Sequence, residues 1–391
     1  MKILFTMTRA FDPYAAGVQR TTFKLGKYFT EQGIEVAYFS TKNLGNKDVE
    51  FGKLFYAPFS EDLKNNENKK YLEEVLVSWK PDIVINQMPY EKELRTILSV
   101  NKYKFGYTLL GCLRNSLFSF LKNVRNKSKQ NLQGSKFNLI DNKVGLGIIR
   151  SWHIYKHRKE LRAILDDHDR FILLAPQNLD ELKFFVKDYK LNKTLVIPNS
   201  IPSVHPEAIQ QKTKHILFVG SLNVHQKRAD LLLPFWQNLE AKLPDWEFII
   251  VGDGAYSKIM KDKIEKKKLP RVYLKGHQMP EIYYREASLF IMTSAYEGFP
   301  NTILEAHSFG CPVFAFRSYA AIDWIVNDNI DACICDPFDI GTLSKRMVEL
   351  ANNPIKLAEM QLNAIDNAKR FTIDVVGQLW LDFFEEIQIK A

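Results

Sequence analysis

The sequence predicts an α/β protein with two doubly wound parallel sheets. Short apolar runs of strand length alternate with segments of helical spacing from end to end, the pattern of parallel strands crossed by helices. At 391 residues the chain exceeds one ordinary core and suits two. Three prolines and several polar residues between Pro198 and Lys214 mark a hinge. The expected limits are therefore 1–200 and 201–373, with 374–391 as a terminal helix.

In chain order, Lys2 to Thr6 is an apolar strand, followed by a loop to Gly17, a helix from Val18 to about Gln32 and a strand from Glu35 to Ser40. This unit repeats. Tyr71 to Trp79 has helical spacing, Asp82 to Asn86 follows Pro81 as a strand, Glu91 to Val100 is helical, and Lys104 to Leu109 reads as a strand. The polar stretch Asn43 to Asn68 receives no assignment. Arg170 to Leu174 and Thr194 to Ile197 complete the first domain. The second opens with the strand ending at Val219-Gly220-Ser221 and continues with Glu247 to Val251, Val272 to Gly276, Leu289 to Met292 and Val313 to Phe316. Helices are expected at Glu281 to Ala287, Ile340 to Asn352 and Ile355 to Arg370, then an amphipathic end bearing Val376, Leu379, Trp380, Phe383 and Ile387. Gly252-Asp253-Gly254 lacks the third glycine of a dinucleotide fingerprint, Ser257 standing there, which disfavours a nicotinamide enzyme.

Composition narrows the class. No run reaches the roughly 20 apolar residues of a membrane span. MKILFTMTRAFD reads as a mature first strand, lacking the long apolar region of a signal peptide. Cys112, Cys311, Cys333 and Cys335 show neither a disulfide framework nor zinc spacing, so reduced, cytoplasmic conditions are expected. Cys333 and Cys335 alternate as on one strand face. The net charge of +9 is concentrated: between Leu113 and Arg162, twelve lysines and arginines face only Asp141 and Glu160. There Leu117, Phe118, Phe120, Leu121 and Val124, then Leu146, Ile148, Ile149 and Trp152, interleave with cations. That pattern suits an anionic membrane surface, or else a solvated excursion without a partner. No recognition motif accompanies the charge, so nucleic acid is disfavoured. His153 and His157 sit at helical spacing without an HExxH pattern and read as a solvated helix face. Asp166-Asp167-His168-Asp169 reads as a polar turn ending a helix.

The residues most suited to chemistry lie in FIMTSAYEGFPNTILEAHSFGCPVFAF, from Phe290 to Phe316. Gly298-Phe299-Pro300 delays the helix, Pro300 suits its first position, and Glu297 is left outside while Glu305 falls within. The amides around Phe299, Asn301 and Thr302 would point from a helix N-terminus at the carboxyl edge of a sheet, where an anion is favoured. A phosphate flanked by two carboxylates that accept from hydroxyl groups suits a nucleotide sugar. Two arbitrary glutamates would more commonly be a cap and a surface charge.

The spacing of Glu297 and Glu305, with Ser294 before and Gly310-Cys311-Pro312-Val313 after, resembles the donor-site signature of the retaining glycosyltransferases of family 4. That resemblance implies two Rossmann-like domains facing a cleft, the GT-B fold, with the acceptor on the N-terminal domain and the donor on the C-terminal one. It implies that Glu297 meets the donor sugar and Glu305 the ribose. Gly220 and Lys227 match the family's diphosphate-binding region, Lys227 neutralising the leaving group. Ser221 stands where relatives carry arginine, and Arg228 where glycine is common. Gly276 and His277 are expected near the base. Gly17, in Ala16-Gly17-Val18-Gln19-Arg20, resembles the family's glycine loop on the donor-phosphate or acceptor side; by itself it is turn chemistry. Arg114 stands where many relatives have a histidine. An arginine stays protonated and cannot serve as a base near neutrality, leaving an acidic acceptor, the donor diphosphate or a structural role. Either Arg114 or Arg228 would supply the charge missing at Ser221.

The implied partners are a nucleotide sugar and a saccharide or lipid-linked acceptor, with no metal or other cofactor. The implied activity is transfer of a hexose with retention in cell-surface polysaccharide, lipopolysaccharide or glycolipid synthesis. The rivals are a sugar-nucleotide epimerase of the same fold, a non-catalytic nucleotide-sugar-binding partner, and a peripheral membrane scaffold using residues 113–162.

Overall fold

The computed structural model describes residues 1–9, 11–12, 17–42, 51–59, 63–125, 128 and 141–389, the side chains of 388 and 389 excepted. The chain divides into two units. One comprises Met1–Leu117, Asn138–Ser200 and Ile373–Ala391; the other comprises Phe118–Phe137 and Ile201–Thr372. The grouping thus differs from a single cut at 200. The terminal helix is counted with the first unit, and the described residues 118–125 with the second.

The first unit is a seven-stranded sheet in the order β3-β2-β1-β4-β5-β6-β7. Its strands are β1 (Lys2–Met7), β2 (Glu35–Ser40), β3 (Lys53–Tyr56), β4 (Ile83–Asn86), β5 (Thr108–Cys112), β6 (Arg170–Leu173) and β7 (Thr194–Val196). Every pairing is parallel. Registers Thr6↔Asn86 and Asn86↔Gly111 set the carboxyl ends of β1, β4 and β5 level. Helices cover both faces, so the central strands read as unbroken apolar runs; Ile83–Asn86 is buried throughout. Successive side chains of β1 point to opposite faces. Phe5 joins Phe29, Tyr38, Val376, Trp380 and Phe384, whereas Leu4 joins Phe39, Leu72, Val84 and Leu98. The helix Ile373–Ile389 lies on the helix Val18–Glu31, with Phe384 and Phe29 centroids 5.3 Å apart. A Cβ on Gly377 would meet the Tyr28 ring at 2.3 Å, so only glycine allows this approach.

The second unit has six strands, ordered β10-β9-β8-β11-β12-β13. They are β8 (Thr213–Val219), β9 (Glu247–Val251), β10 (Val272–Gly276), β11 (Ala287–Met292), β12 (Val313–Phe316) and β13 (Ala332–Cys335), again all parallel. Trp236, Phe235, Phe248 and Met260 pack one face against Phe218, Phe316 and Leu343. In each unit the chain leaves its first strand in one direction and returns to build the other. The reversal, at β1/β4 and at β8/β11, opens a crevice at the carboxyl edge, where ligands of such sheets bind.

Several local expectations shift. The strand expected from Lys104 begins at Thr108, because the helix Lys92–Phe105 continues until Gly106 closes it in the left-handed region at φ 73. Within the unassigned polar stretch, Lys53–Tyr56 forms the edge strand beside β2. The helix expected from Tyr71 starts earlier, at Asn66, where the Asn65 side chain accepts from the Glu67 amide at 2.9 Å. His157 is not on a solvated face. Its ring lies 5.6 Å from Tyr90, 4.8 Å from Phe185 and 5.4 Å from His153, and it bonds Glu160. The polar run after it ends the helix Lys143–Asp167 and ties it down, Asp167 to Arg95 at 2.7 Å and Asp169 to Lys102 at 2.8 Å. All four cysteines are free and buried.

Candidate functional site

At the carboxyl edge of the second sheet, a lysine and a carboxylate meet. Lys227 Nζ donates to Glu297 Oε1 at 2.7 Å, with the side chains 15% and 9% exposed. Gln226 Nε2 donates to the other oxygen, Oε2, at 3.2 Å. Each carboxylate oxygen keeps further acceptor capacity, and the ammonium keeps two donors. Glu297 can therefore receive a hydroxyl and Lys227 can reach an anion without breaking the pair.

The local backbone explains the meeting. Asn223 Oδ1 accepts from the amides of Gln226 and Lys227 at 2.8 and 3.1 Å, fixing the turn after β8. Gln226 O accepts from the Ala295 amide at 2.7 Å, and Lys227 O from Thr293 Oγ1 at 2.7 Å. The lysine's loop is thus stitched to the loop that carries Glu297. Ser318 Oγ donates to Ser294 O at 2.6 Å and braces the same loop from the next strand. Gly220 lies beneath: a Cβ there would stand 3.6 Å from Lys227 Cε. Gly252, at φ 139, crosses so close that its Cβ would meet Gly220 O at 1.9 Å.

The helix that follows is Asn301–Ser308, one residue later than expected, so Pro300 is its cap and not its first residue. Proline offers the first-turn amides no side-chain acceptor, and the turn holds no acidic residue. Gly298, Asn301 and Thr302 are half-buried, Phe299 and Pro300 buried. Phe299 packs between Trp324 and Phe371, anchoring the loop. Glu305 is within the helix and buried, and its Oε2 accepts from Tyr284 OH at 3.2 Å. His307 points away into the core. Its Nε2–H donates to Asp331 O at 3.1 Å, and burial holds its pKa down to about 3.

The remaining sequence-predicted residues are dispersed. Ser221 is exposed and its hydroxyl accepts from Asn223 Nδ2 at 2.8 Å. Arg228 has φ 50, a left-handed conformation that glycine adopts more readily. Its guanidinium is committed to Asp230 at 2.9 Å and lies 4.6 Å from the Phe338 ring centre, so the charge missing at Ser221 is not supplied by an unpaired Arg228. Gly276, at φ 66, ends β10, and its carbonyl accepts from the Gly252 amide at 2.8 Å. His277 is exposed, and nearby the Asp253 carboxyl is held below its usual range chiefly by Ser257 and the Gly254 amide. Gly17 and Arg114 belong to the first unit. Gly17 caps the helix Val18–Glu31 at φ 77, in open space; Ala16 lies outside the described residues. Among the described residues no cluster of three or more His, Cys, Asp or Glu side chains could hold a metal.

Sequence reasoning gave no role to Gln226, Asn223, Ser318 or Tyr284. Gln226 and Asn223 lie within four residues of Lys227, so the local sequence already sets them beside it. Only the folded sheet brings Tyr284 and Ser318 to Glu305 and Ser294.

Two such sheets define a class. Sucrose-phosphate synthase from Thermosynechococcus elongatus superposes with a TM-score of 0.78 at 16% identity, over 100% of both chains. HepE of Anabaena, solved in complex with UDP, gives 0.72 at 17% identity, over 99% of this chain and 100% of that one. The protein therefore has the parallel-sheet architecture of the GT-B glycosyltransferases. Residues 202–371, nearly all of the second unit, match the family described as Glycosyl transferases group 1, and this segment is a domain of that family. The poly(ribitol-phosphate) alpha-N-acetylglucosaminyltransferase of Staphylococcus aureus is 28% identical over 217 residues, 54% of this chain and 43% of that protein. The chain spans about half the length of the curated relatives it matches.

Proposed function

We propose that the protein is a retaining glycosyltransferase that moves a hexose from a nucleotide-diphosphate sugar to an acceptor hydroxyl, in synthesis of a cell-surface polysaccharide, lipopolysaccharide or glycolipid. The observation that carries this reading is the pair of Lys227 Nζ and Glu297 Oε1, 2.7 Å apart at the edge of a group 1 domain. In this reading the donor's diphosphate lies against Lys227 and the N-terminal turn of Asn301–Ser308. Glu297 accepts from a sugar hydroxyl and Glu305 from the ribose. As the bond from the anomeric carbon to phosphate oxygen breaks, its electron pair stays on the phosphate. Lys227 and the helix amides stabilise that charge, the electrostatic contribution that is usually largest in such reactions. The acceptor oxygen bonds to the anomeric carbon on the face the phosphate leaves, and its proton passes to the departing phosphate. Lysine and amides serve here where other enzymes use a metal, so addition of a chelator should leave the rate unchanged.

The test is incubation with a panel of nucleotide sugars. Release of nucleoside diphosphate only with an acceptor supports transfer. Release without one favours epimerase or hydrolase chemistry, and binding without turnover favours a non-catalytic partner.

We also place the protein in the cytoplasm, at the inner face of the cytoplasmic membrane. The helix Lys143–Asp167 buries Leu161, Ile164 and Leu165, while Val144, Ile148, Trp152 and Tyr155 form an exposed stripe at successive turns. Lys156 and Lys159 stand over the Trp152 and Tyr155 rings. Apolar and aromatic groups edged by cations suit anionic head groups. Lys122 is differently engaged, donating to the Ser318 carbonyl, and Leu117 is core; Lys127, Lys129 and Lys136 lie outside the described residues. No helix among the described residues is long and apolar enough to cross a membrane. Co-sedimentation with anionic vesicles should weaken with salt and in Ile148→Ser/Trp152→Ser. Equal pelleting with neutral vesicles sinks this placement.

A further inference from the structure

We propose that the first unit carries an anion-binding subsite built on Arg114, and that it holds an acidic group of the acceptor, a phosphate or a carboxylate. The word acceptor rests on the glycosyl-transfer reading; the subsite itself rests on the following geometry.

Arg114 stands two residues beyond β5, half-buried. Its Nε donates to Gln87 Oε1 at 2.6 Å and its Nη1 to Asn199 Oδ1 at 3.0 Å. Gln87 directly follows β4 and Asn199 lies three residues past β7, so three strand ends converge on one guanidinium. Both partners are neutral amides, themselves 2% and 7% exposed. Arg95, Arg228 and Arg346, each buried or half-buried, meet carboxylates: Asp167, Asp230 and Asp328. Arg114 meets none among the described residues. The neighbouring Cys112 thiol hydrogen-bonds Arg114, but burial pushes its pKa up and it stays neutral, so it offers no counter-charge.

Hydrogen-bond accounting points the same way. Arg114 Nη2 and Gln87 Nε2 are both buried without a partner. Both groups can only donate. Donors left over around a cation that no carboxylate neutralises call for an oxygen-rich anion, and a planar guanidinium fork suits phosphate or carboxylate. A purely structural arginine would spend these donors on backbone carbonyls, as Arg271 does on Trp246 and Glu240.

The experiment is equilibrium binding of two probes, sn-glycerol 3-phosphate and UDP, to the full chain and to Arg114→Gln and Arg114→Lys. Wild type should bind glycerol phosphate with an affinity that falls as salt rises. Arg114→Gln should lose roughly tenfold or more of it, and Arg114→Lys, which keeps charge but not the fork, should fall between. UDP affinity should be unchanged in both, while Lys227→Ala loses it. Loss of UDP binding in Arg114→Gln would assign the cation to the donor diphosphate and overturn the proposal. So would equal glycerol phosphate affinity in wild type and Arg114→Gln, or none in wild type. Should glycerol phosphate respond to Arg114 while UDP binds no variant, the subsite stands and the donor reading falls. Arg114→Lys, judged folded by near-ultraviolet dichroism, keeps the test valid if Arg114→Gln fails to fold.

Discussion

In the first unit β1 stands at the reversal of a seven-stranded sheet, and in the second β8 stands at the reversal of a six-stranded one, yet the cations at the two carboxyl edges are held differently. Lys227 is matched by Glu297, so the second unit buries a neutral pair. Arg114 is matched by two amides and a neutral thiol, so no carboxylate neutralises it. A paired cation is fixed by its partner and ready for a ligand that carries its own charge balance. An unpaired one is itself a demand for an anion.

That contrast can be broken first at the pair. Lys227→Ala or Glu297→Ala should lower turnover at least ~100-fold in a nucleoside-diphosphate release assay, the scale for removing one stabilising group. The chain stays folded, although Lys227→Ala, which strands a buried carboxylate, should cost about 3 kcal/mol in denaturant titration. Unchanged rates in both variants would remove the site assignment.

Glycines give the next largest difference. Gly252→Ala drives a Cβ to 1.9 Å from a backbone oxygen that cannot give way, and should cost more than about 3 kcal/mol or abolish folding. Gly17→Ala meets open space and should cost only the ~1–3 kcal/mol of holding a side chain at φ 77 and ψ -133, a region glycine tolerates best. Equal thermal stability of the two variants would contradict the packing of the second site.

Acid should test both units together. Each buries one neutral histidine: burial holds His168 down to about 4 and His307 to about 3. His168 Nδ1–H donates to Ile164 O at 2.7 Å and Nε2 accepts from Asn86. Below about pH 6.5 the unfolded chain takes up protons that the folded rings refuse. Stability is therefore present above that pH and falls as pH drops towards the folded values, by up to ~1.4 kcal/mol per pH unit for each ring. His307→Asn should flatten the slope in the second unit only. A smaller effect is expected at Tyr284→Phe, which removes the hydroxyl on Glu305 and should weaken nucleotide binding by roughly tenfold or less, the scale of a bond to a charged group. Unaltered affinity would mean that Glu305 is held by other contacts.

The sequence by itself determined the double winding and most strands to within a residue or two, and it singled out Lys227 and Glu297, which the fold pairs, and Glu305, which falls in the helix Asn301–Ser308. It could do so because apolar periodicity and glycine or proline breaks are local properties of the chain. Glu35–Ser40, Glu247–Val251 and Val313–Phe316 were readable for that reason. Lys53–Tyr56 was not, because a four-residue edge strand that is only half-buried carries little pattern. His157 was misread because the rings of Tyr90 and Phe185 that enclose it come from distant segments. Only the tertiary structure decided which charges are spent. Arg228 and Arg114 look alike in sequence, but Asp230 takes the first while the second meets Gln87 and Asn199, residues 27 and 85 positions away. Pairing depends on distance in space, and distance in space is set by the sheets.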